Sequence, residues 1–290
     1  MTVTPLFDGV PNSRGVDGLP LASGGRTHAG VLYRSAALDT ISDRGIATLR
    51  QLEVRAVVDL RSEAERERSP HRLPPNAGID LIEAPITVSS LDPRELTELE
   101  EELAARPKVP PLAEAYRAML SQAGEQFALA ASVVARVSRT GGAVLVHCTA
   151  GKDRTGITAA LLLELAGTDR QAVVANYCES ERYLAGAWVQ MMLDRLSREG
   201  MPVDDSVIKL VSTTPRTRSS RHSAGWMNTA APPPSTWWNR VFPVRMSTGF
   251  GARSDSHTRR LLCPTPPSSG NLGAWLNTGI WEVQGSRFPR

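Results

Sequence analysis

Cys148 opens and Arg154 closes a seven-residue stretch inside Ala143–Gly156, which reads AVLVHCTAGKDRTG. A thiolate and a guanidinium at the two ends of one tight loop are the parts needed for nucleophilic attack on a phosphoryl group. The sulfur attacks, and the planar fork of Arg154 holds two equatorial oxygens in the ground and transition states. The elements that must position them are legible on either side. Ala143-Val144-Leu145-Val146 is a short apolar, β-branched run after Gly141-Gly142, which suits a buried strand. Arg154 to Leu165 is an apolar run with Gly167 just past its end, which suits a helix. A strand–loop–helix junction of this kind aims successive backbone N–H groups, and the positive end of the helix, at one spot. Such a cradle favours the thiolate of Cys148 near neutral pH.

The other loop residues have their own reasons to be there. Thr149, Ala150, Gly151, Lys152 and Asp153 are expected to line the anion with their backbone, and Gly151 lets that backbone approach closely. Thr155 can offer its hydroxyl to the sulfur, making it a better leaving group when a cysteinyl-phosphate is hydrolysed. His147 is expected to orient the loop through hydrogen bonds rather than to act as the base, because strand residues point to alternate sides. Lys152 adds a second cation. It suggests tolerance of polyanionic head groups such as phosphoinositides, against the plainer reading of an exposed lysine giving general attraction. An isolated cysteine is most often a buried core residue; the spacing to Arg154 argues against that here.

These residues carry a family resemblance. HCTAGKDRTG resembles the signature loop HC-x5-R-[ST] of the cysteine-dependent phosphatases. With Lys152-Asp153 inside the loop, it is most similar to the bacterial tyrosine phosphatases with lipid-phosphatase-like loops. Val31-Leu32-Tyr33-Arg34-Ser35, Val57-Val58-Asp59-Leu60-Arg61-Ser62 and Ala175-Asn176-Tyr177 agree, so the resemblance runs from about Asn12 to Thr214. It implies a protein-tyrosine-phosphatase-like α/β fold and hydrolysis of phosphomonoesters through a phosphocysteine on Cys148, with no metal and no cofactor. The implied substrate is phosphotyrosine on a protein, extending to phosphoserine or phosphothreonine in a dual-specificity enzyme. A phosphoinositide phosphatase and a catalytically impaired phosphate-binding module are the alternatives. A sulfurtransferase also places a cysteine over a sheet edge, but the D-R-T-G ending favours oxyanion binding by arginine.

A phenolate leaving group has a pKa of about 10, so a proton donor helps. Three carboxylates compete. Asp153 lies inside the loop, and the resemblance supports a catalytic role there; its alternative is a brace bonding backbone N–H groups. Asp59 ends a strand and is preferred as a structural partner for Arg61 or for the loop. Asp92 is already explained as a helix cap. Where relatives carry an aspartate a few residues after the second strand, this chain has the apolar Val88, which shifts weight to Asp153.

In chain order, Asn12 to Gly30 reads as irregular, and Val31 to Arg34 as a short strand. Ser42 caps a helix carrying Ile46, Leu49 and Leu52. Val54 to Leu60 reads as a buried strand, Arg61–Arg68 as a solvated helical face from which Arg61 reaches toward the site, and Ile79 to Ile86 as another strand. Asp92-Pro93 opens a helix with Leu96, Leu99 and Leu103 on its apolar stripe. Leu112 to Arg139 holds two helices broken near Gly124; Thr168-Asp169 starts another, and Glu179 to Arg198 reads as one more. This alternation predicts a mainly parallel central sheet flanked by helices, with the site at the carboxyl ends of the strands.

With 41% apolar residues among 290 the chain can bury a core, and no apolar run reaches the length of a membrane span. The first ten residues, MTVTPLFDGV, lack the pattern of an ordinary signal peptide, and three cysteines, none paired by motif, suit a reducing compartment, so a cytoplasmic location is expected, with export by another route as the alternative. The net charge of +3 averages two unlike parts: residues 215–290 carry ten Arg, no Lys and two acids, +8, leaving −5 for the rest. The basic balance belongs to the tail and is no argument for nucleic-acid binding by the 1–214 phosphatase domain. The tail also holds nine of 21 prolines and five of six tryptophans, with no helical or alternating period. It reads either as an extension that binds a partner or membrane surface, or as frame-shifted, non-native sequence. The second is favoured. Three lysines against thirty arginines suggest a GC-rich gene; if GC-rich codons are chosen for Pro215–Gly225 and the frame is moved by two nucleotides, the stretch can be read as an amphipathic helix.

Overall fold

In the computed structural model the described residues are 3–87, 111–198, 200 and 203–214. The helix expected at Asp92-Pro93, the position of Val88 and the whole 215–290 tail lie outside them.

Five strands form one sheet in the order β1-β2-β5-β3-β4: β1 Arg14–Gly15, β2 Leu32–Ser35, β3 Val54–Asp59, β4 Asp80–Glu83 and β5 Ala143–His147. The short β1 edge is antiparallel to β2, and the other pairings are parallel. The mainly parallel α/β sheet expected from the alternation of elements is therefore what forms. Around it lie α1 Asp43–Gln51, α2 Glu63–Arg68, α3 Pro111–Gln122, α4 Gly124–Ser138, α5 Asp153–Leu165, α6 Arg170–Cys178, α7 Ser180–Leu184, α8 Ala187–Arg198 and α9 Asp205–Ser212.

The strand that leads into the loop is central because every residue of it is buried. Val144 and Val146 face a core built with Ala56, Val58, Phe127, Val134, Ile157 and Leu163, largely from α4 and α5. Ala143 and Leu145 face the opposite core with Phe7, Ile41, Ile46 and Leu49, where α1 packs. An alternating strand covered on both faces is the ordinary state of a parallel sheet, and each such aliphatic side chain contributes about 2 kcal/mol on burial. The α1 helix starts where expected, with Ser42 accepting from the Gly45 N–H.

The parallel register brings Ser35, His147 and Asp59 level with one another. The chain leaves β2, β5 and β3 at the same edge, so residues following all three strands meet there. Three expectations need correction. Asn12–Gly30 is not wholly irregular, since β1 lies within it. The single helix expected over Glu179–Arg198 is two, α7 and α8, parted at Gly186, whose φ is +83°. The α9 helix, unanticipated, packs Val207 and Val211 against Leu196 of α8.

Candidate active site

Cys148, 2% exposed, follows the buried end of β5 and begins the loop that Arg154 closes in the first turn of α5. Four consecutive carbonyls of this loop are held from outside it. The Cys148 carbonyl accepts from His147 Nδ1 (3.1 Å) and the Thr149 carbonyl from the Ala37 N–H (3.1 Å). The Ala150 carbonyl accepts from Asn12 Nδ2 (2.9 Å) and the Gly151 carbonyl from Arg34 Nη2 (2.8 Å). A peptide whose carbonyl points outward turns its N–H the other way. The N–H groups of Thr149, Ala150 and Gly151 have no acceptor among the described residues. Gly151 has a reason to be there besides the approach to an anion expected of it. Its φ is +66°, and a Cβ there would lie 2.2 Å from the Ser35 carbonyl oxygen.

The Arg34 guanidinium beneath the loop is fully buried, bonding Asn176 Oδ1 (3.1 Å) and Ser180 Oγ (3.2 Å) as well as Gly151. Burial first, then the neighbouring Arg14, pushes its pKa well below the ordinary guanidinium value. Arg14 bonds the Asn176 carbonyl and the same Ser180 hydroxyl, both at 3.0 Å. Its Nε lies 3.6 Å from Glu179. Two of the stretches that carry the family resemblance, around Arg34 and Asn176, thus meet under the loop.

Arg154 does not stand alone at the rim. Glu65 of α2 takes its fork in parallel, Nη1 to Oε2 and Nη2 to Oε1, each at 2.6 Å, and also accepts from the Thr149 hydroxyl. Burial opposes charge on Glu65, but the Arg154 and Thr149 hydrogen bonds and the Ser62 N–H outweigh it and bring its pKa down to about 2. Burial likewise opposes charge on Arg154, and the Glu65 hydrogen bonds, then the Cys148 and Glu65 charges, hold its pKa above the ordinary range. The helix expected over Arg61–Arg68 is present, yet it is not merely a solvated face. Its third residue is the partner of Arg154. Ser62 and Glu65 also form a capping box, so one carboxylate caps α2 and orients Arg154.

Asp153 is partly exposed and accepts from the Tyr116 hydroxyl; no backbone N–H of the described residues donates to it. The brace role weighed for it is therefore not the one it plays. Lys152 is neither exposed nor extended from the rim. It is 5% exposed, and its Nζ donates to the Thr213 carbonyl at 3.2 Å, with Asp153 Oδ2 3.9 Å away. The Thr155 hydroxyl is buried and makes no bond to the Cys148 sulfur.

Asp59 is a structural partner of Arg61. Arg61 Nε and Nη2 bond its carboxylate at 2.9–3.1 Å, and both residues are buried. Arg61 also donates to the Ser69 carbonyl (2.7 Å), and among the described residues its side chain makes no bond to the loop. Burial would raise the Asp59 pKa, but His71, His147 and Arg61 together hold it far below the carboxylate range. Asp59, His71 and His147 offer metal-ligand atoms within 4.8 Å of one another. The Arg61 guanidinium already supplies the cation that this carboxylate faces, so a metal ion does not fit there. Burial lowers the His147 pKa to about 4 despite Asp59. The ring is therefore neutral, and since a carbonyl only accepts, its proton is on Nδ1, toward Cys148.

Residues 5–225 match the sequence model of the tyrosine phosphatase family. The chain belongs to that family. A tyrosine-protein phosphatase of Nostoc commune is 37% identical over 158 residues, 54% of this chain and 51% of that protein. The triple specificity protein phosphatase PtpB of Mycobacterium tuberculosis is 33% identical over 174 residues, 52% of this chain and 61% of that protein. The chain thus spans between half and three fifths of the length of these relatives. The crystal structure of TpbA from P. aeruginosa matches with 21% identity, covering 72% of this chain and 98% of that one, at a TM-score of 0.30. No helix among the described residues is long and apolar enough to cross a membrane.

Sequence reasoning missed Asn12, Glu65, Tyr116 and Tyr177 as parts of this family site. The S-x-x-E spacing of Ser62 and Glu65 is the one local signal that singles out Glu65 within its charged run. Nothing near Asn12 or Tyr116 in the sequence marks either one.

Proposed function

We propose that the protein is a cysteine-dependent hydrolase of phosphotyrosine, working through a phosphocysteine on Cys148 without metal or cofactor. The observation that carries this reading is the set of four outward-held carbonyls between a buried cysteine and a paired arginine. That arrangement leaves N–H donors on the inner side of the loop for phosphoryl oxygens. The Cys148 thiolate attacks phosphorus, the P–O bond to the leaving phenolate breaks, and Asp153 supplies the phenolate's proton. Water then attacks the phosphocysteine, giving its proton to Asp153, while the P–S bond breaks and the thiolate returns. The Thr155 hydroxyl, buried and unpartnered beside the loop, is suited to bond the departing sulfur. Glu65 takes both Nη groups of Arg154, so the fork does not hold two phosphoryl oxygens as the spacing suggested. The Nε–H of Arg154 is the donor left for the phosphoryl group, on a guanidinium fixed before substrate arrives, which reduces the ordering cost of binding.

The turn of Lys152 toward Thr213 removes the exposed cation that favoured inositol head groups, and this supports phosphotyrosine over phosphoinositide. The mycobacterial relative is named a triple specificity phosphatase, so phosphoserine and phosphothreonine peptides belong in the same assay. Full-length protein is expected to hydrolyse p-nitrophenyl phosphate and a phosphotyrosine peptide equally well with and without EDTA. Cys148→Ser should bind substrate but lose turnover by about 10⁴-fold or more. Activity retained in Cys148→Ser, or lost on chelation, would reject the mechanism.

A further inference from the structure

Two buried tyrosines stand behind Asp153. Tyr116 of α3 and Tyr177 of α6 are almost fully buried, with their rings edge to face at 6.4 Å and 85°. The Tyr116 hydroxyl donates to Asp153 Oδ1, and the two hydroxyl oxygens lie 2.6 Å apart. Each hydroxyl has one proton. The Tyr116 proton is committed to Asp153, so the bond between the tyrosines must be donated by Tyr177. The chain of donors therefore runs in one direction, from Tyr177 to Tyr116 to Asp153. Burial, then the charge of Asp153, raises both phenol pKa values well above the ordinary tyrosine value, so both protons stay in place.

The first turn of α5 makes room for this arrangement. A Cβ on Gly156 would lie 2.7 Å from Cδ2 and Cε2 of the Tyr177 ring. The glycine that ends D-R-T-G thus lets Tyr177 close against the helix that carries Asp153. Nor does Asp153 spend its carboxylate on capping that helix.

We infer that Tyr116, backed by Tyr177, is a positioning residue that fixes Asp153 as a directional proton donor. With Oδ1 occupied as an acceptor, the acid form carries its proton on Oδ2, which has the Lys152 ammonium 3.9 Å away and is the oxygen available to the leaving group. This rests on the reading of Asp153 as the acid. The hydroxyl of Tyr116 matters only when that proton is needed, so its removal must hurt basic leaving groups more than acidic ones.

The test compares kcat/KM for phenyl phosphate and p-nitrophenyl phosphate in the full chain, in Tyr116→Phe, Tyr177→Phe, Asp153→Asn and the Tyr116→Phe/Asp153→Asn double variant. The ratio of the two rates within one preparation does not depend on the fraction folded. Tyr116→Phe should lose about tenfold or more on the phenyl ester and no more than about threefold on the nitrophenyl ester. Tyr177→Phe should shift the ratio the same way by less. In the Asp153→Asn background, Tyr116→Phe should change the ratio by less than about twofold. Equal loss on both esters, or an undiminished loss in the Asp153→Asn background, overturns the inference and makes Tyr116 a packing residue. If Asp153→Asn is sensitive to the leaving group and Tyr116→Phe is not, the relay falls and the acid stands. If Asp153→Asn is itself insensitive, both fall together.

Discussion

The Cys148–Arg154 loop and the layer that holds it are built by opposite means. The loop is one contiguous stretch whose residue types and spacing state their chemistry. The layer is gathered from Asn12, Arg34, Glu65, Tyr116 and Asn176, which are remote in sequence and include a fully buried arginine. One holds the cysteine and the arginine; the other supplies direction, turning carbonyls outward, pairing the arginine fork and bonding one oxygen of Asp153. A contiguous motif is therefore not a site by itself. Its carbonyls turn outward because distant side chains hold them, and the N–H side of the same peptides is turned the other way.

That comparison breaks most sharply at Arg34. Arg34→Met keeps a long buried side chain but strips the bond to the Gly151 carbonyl and leaves Asn176 and Ser180 with one donor fewer. A stability loss of about 3 kcal/mol is expected, read as a lower midpoint in denaturant. A fall in kcat/KM should persist under conditions where the variant is fully folded. Normal activity in the folded variant would show that the loop holds its own shape.

Glu65→Gln sharpens the same comparison at the rim. It keeps the length and one acceptor but loses the charge-assisted pair with Arg154. The expected loss is about tenfold in kcat/KM, carried mainly by KM for small aryl phosphates. The Glu65 carboxylate, with its pKa lowered from 4.5 to about 2, contributes its stabilisation fully above pH 4.5 and loses it progressively as pH falls from there through about 2. The pair is thus constant across neutral pH, and no limb of a neutral pH–rate profile should move in Glu65→Gln.

The third effect lies beneath Cys148 and is read in stability alone, only below neutral pH. His147 is neutral in the fold with a pKa of about 4 against 6.5 when unfolded. Its unfolded form binds the extra proton between these values, so stability should be full above pH 6.5 and fall by about 3 kcal/mol as pH drops to about 4. Urea midpoints across that window measure the slope. His147→Asn should flatten it, and an unchanged slope would mean that another group titrates there.

The loop and its strand and helix were legible because local chemistry and local periodicity coincide in Ala143–Leu165. The α1 cap at Ser42 and the mainly parallel character of the sheet were legible for the same reason, though not the order of its strands. Glu65 was misread because a run of alternating charges looks solvated, and only the third dimension shows that one member of it turns inward. Lys152 was misread because a lysine in a signature loop invites an outward reading, while α9, which brings Thr213 within its reach, had not been foreseen. Arg34 and Tyr177 lay inside stretches that supported the family resemblance, but their roles depend on contacts 117 and 61 residues away along the chain. Such contacts leave no periodic trace in sequence.

The central claim is that the contiguous loop performs the chemistry on Cys148 while the layer behind it only aligns. Rapid acid quench of the full chain turning over p-nitrophenyl phosphate, followed by digestion and mass measurement, tests this most directly. The account predicts one added phosphoryl group on the peptide containing Cys148, and none in Cys148→Ser. Turnover at full rate with no phosphorylated Cys148 peptide, or with the phosphoryl group on another residue, would contradict it.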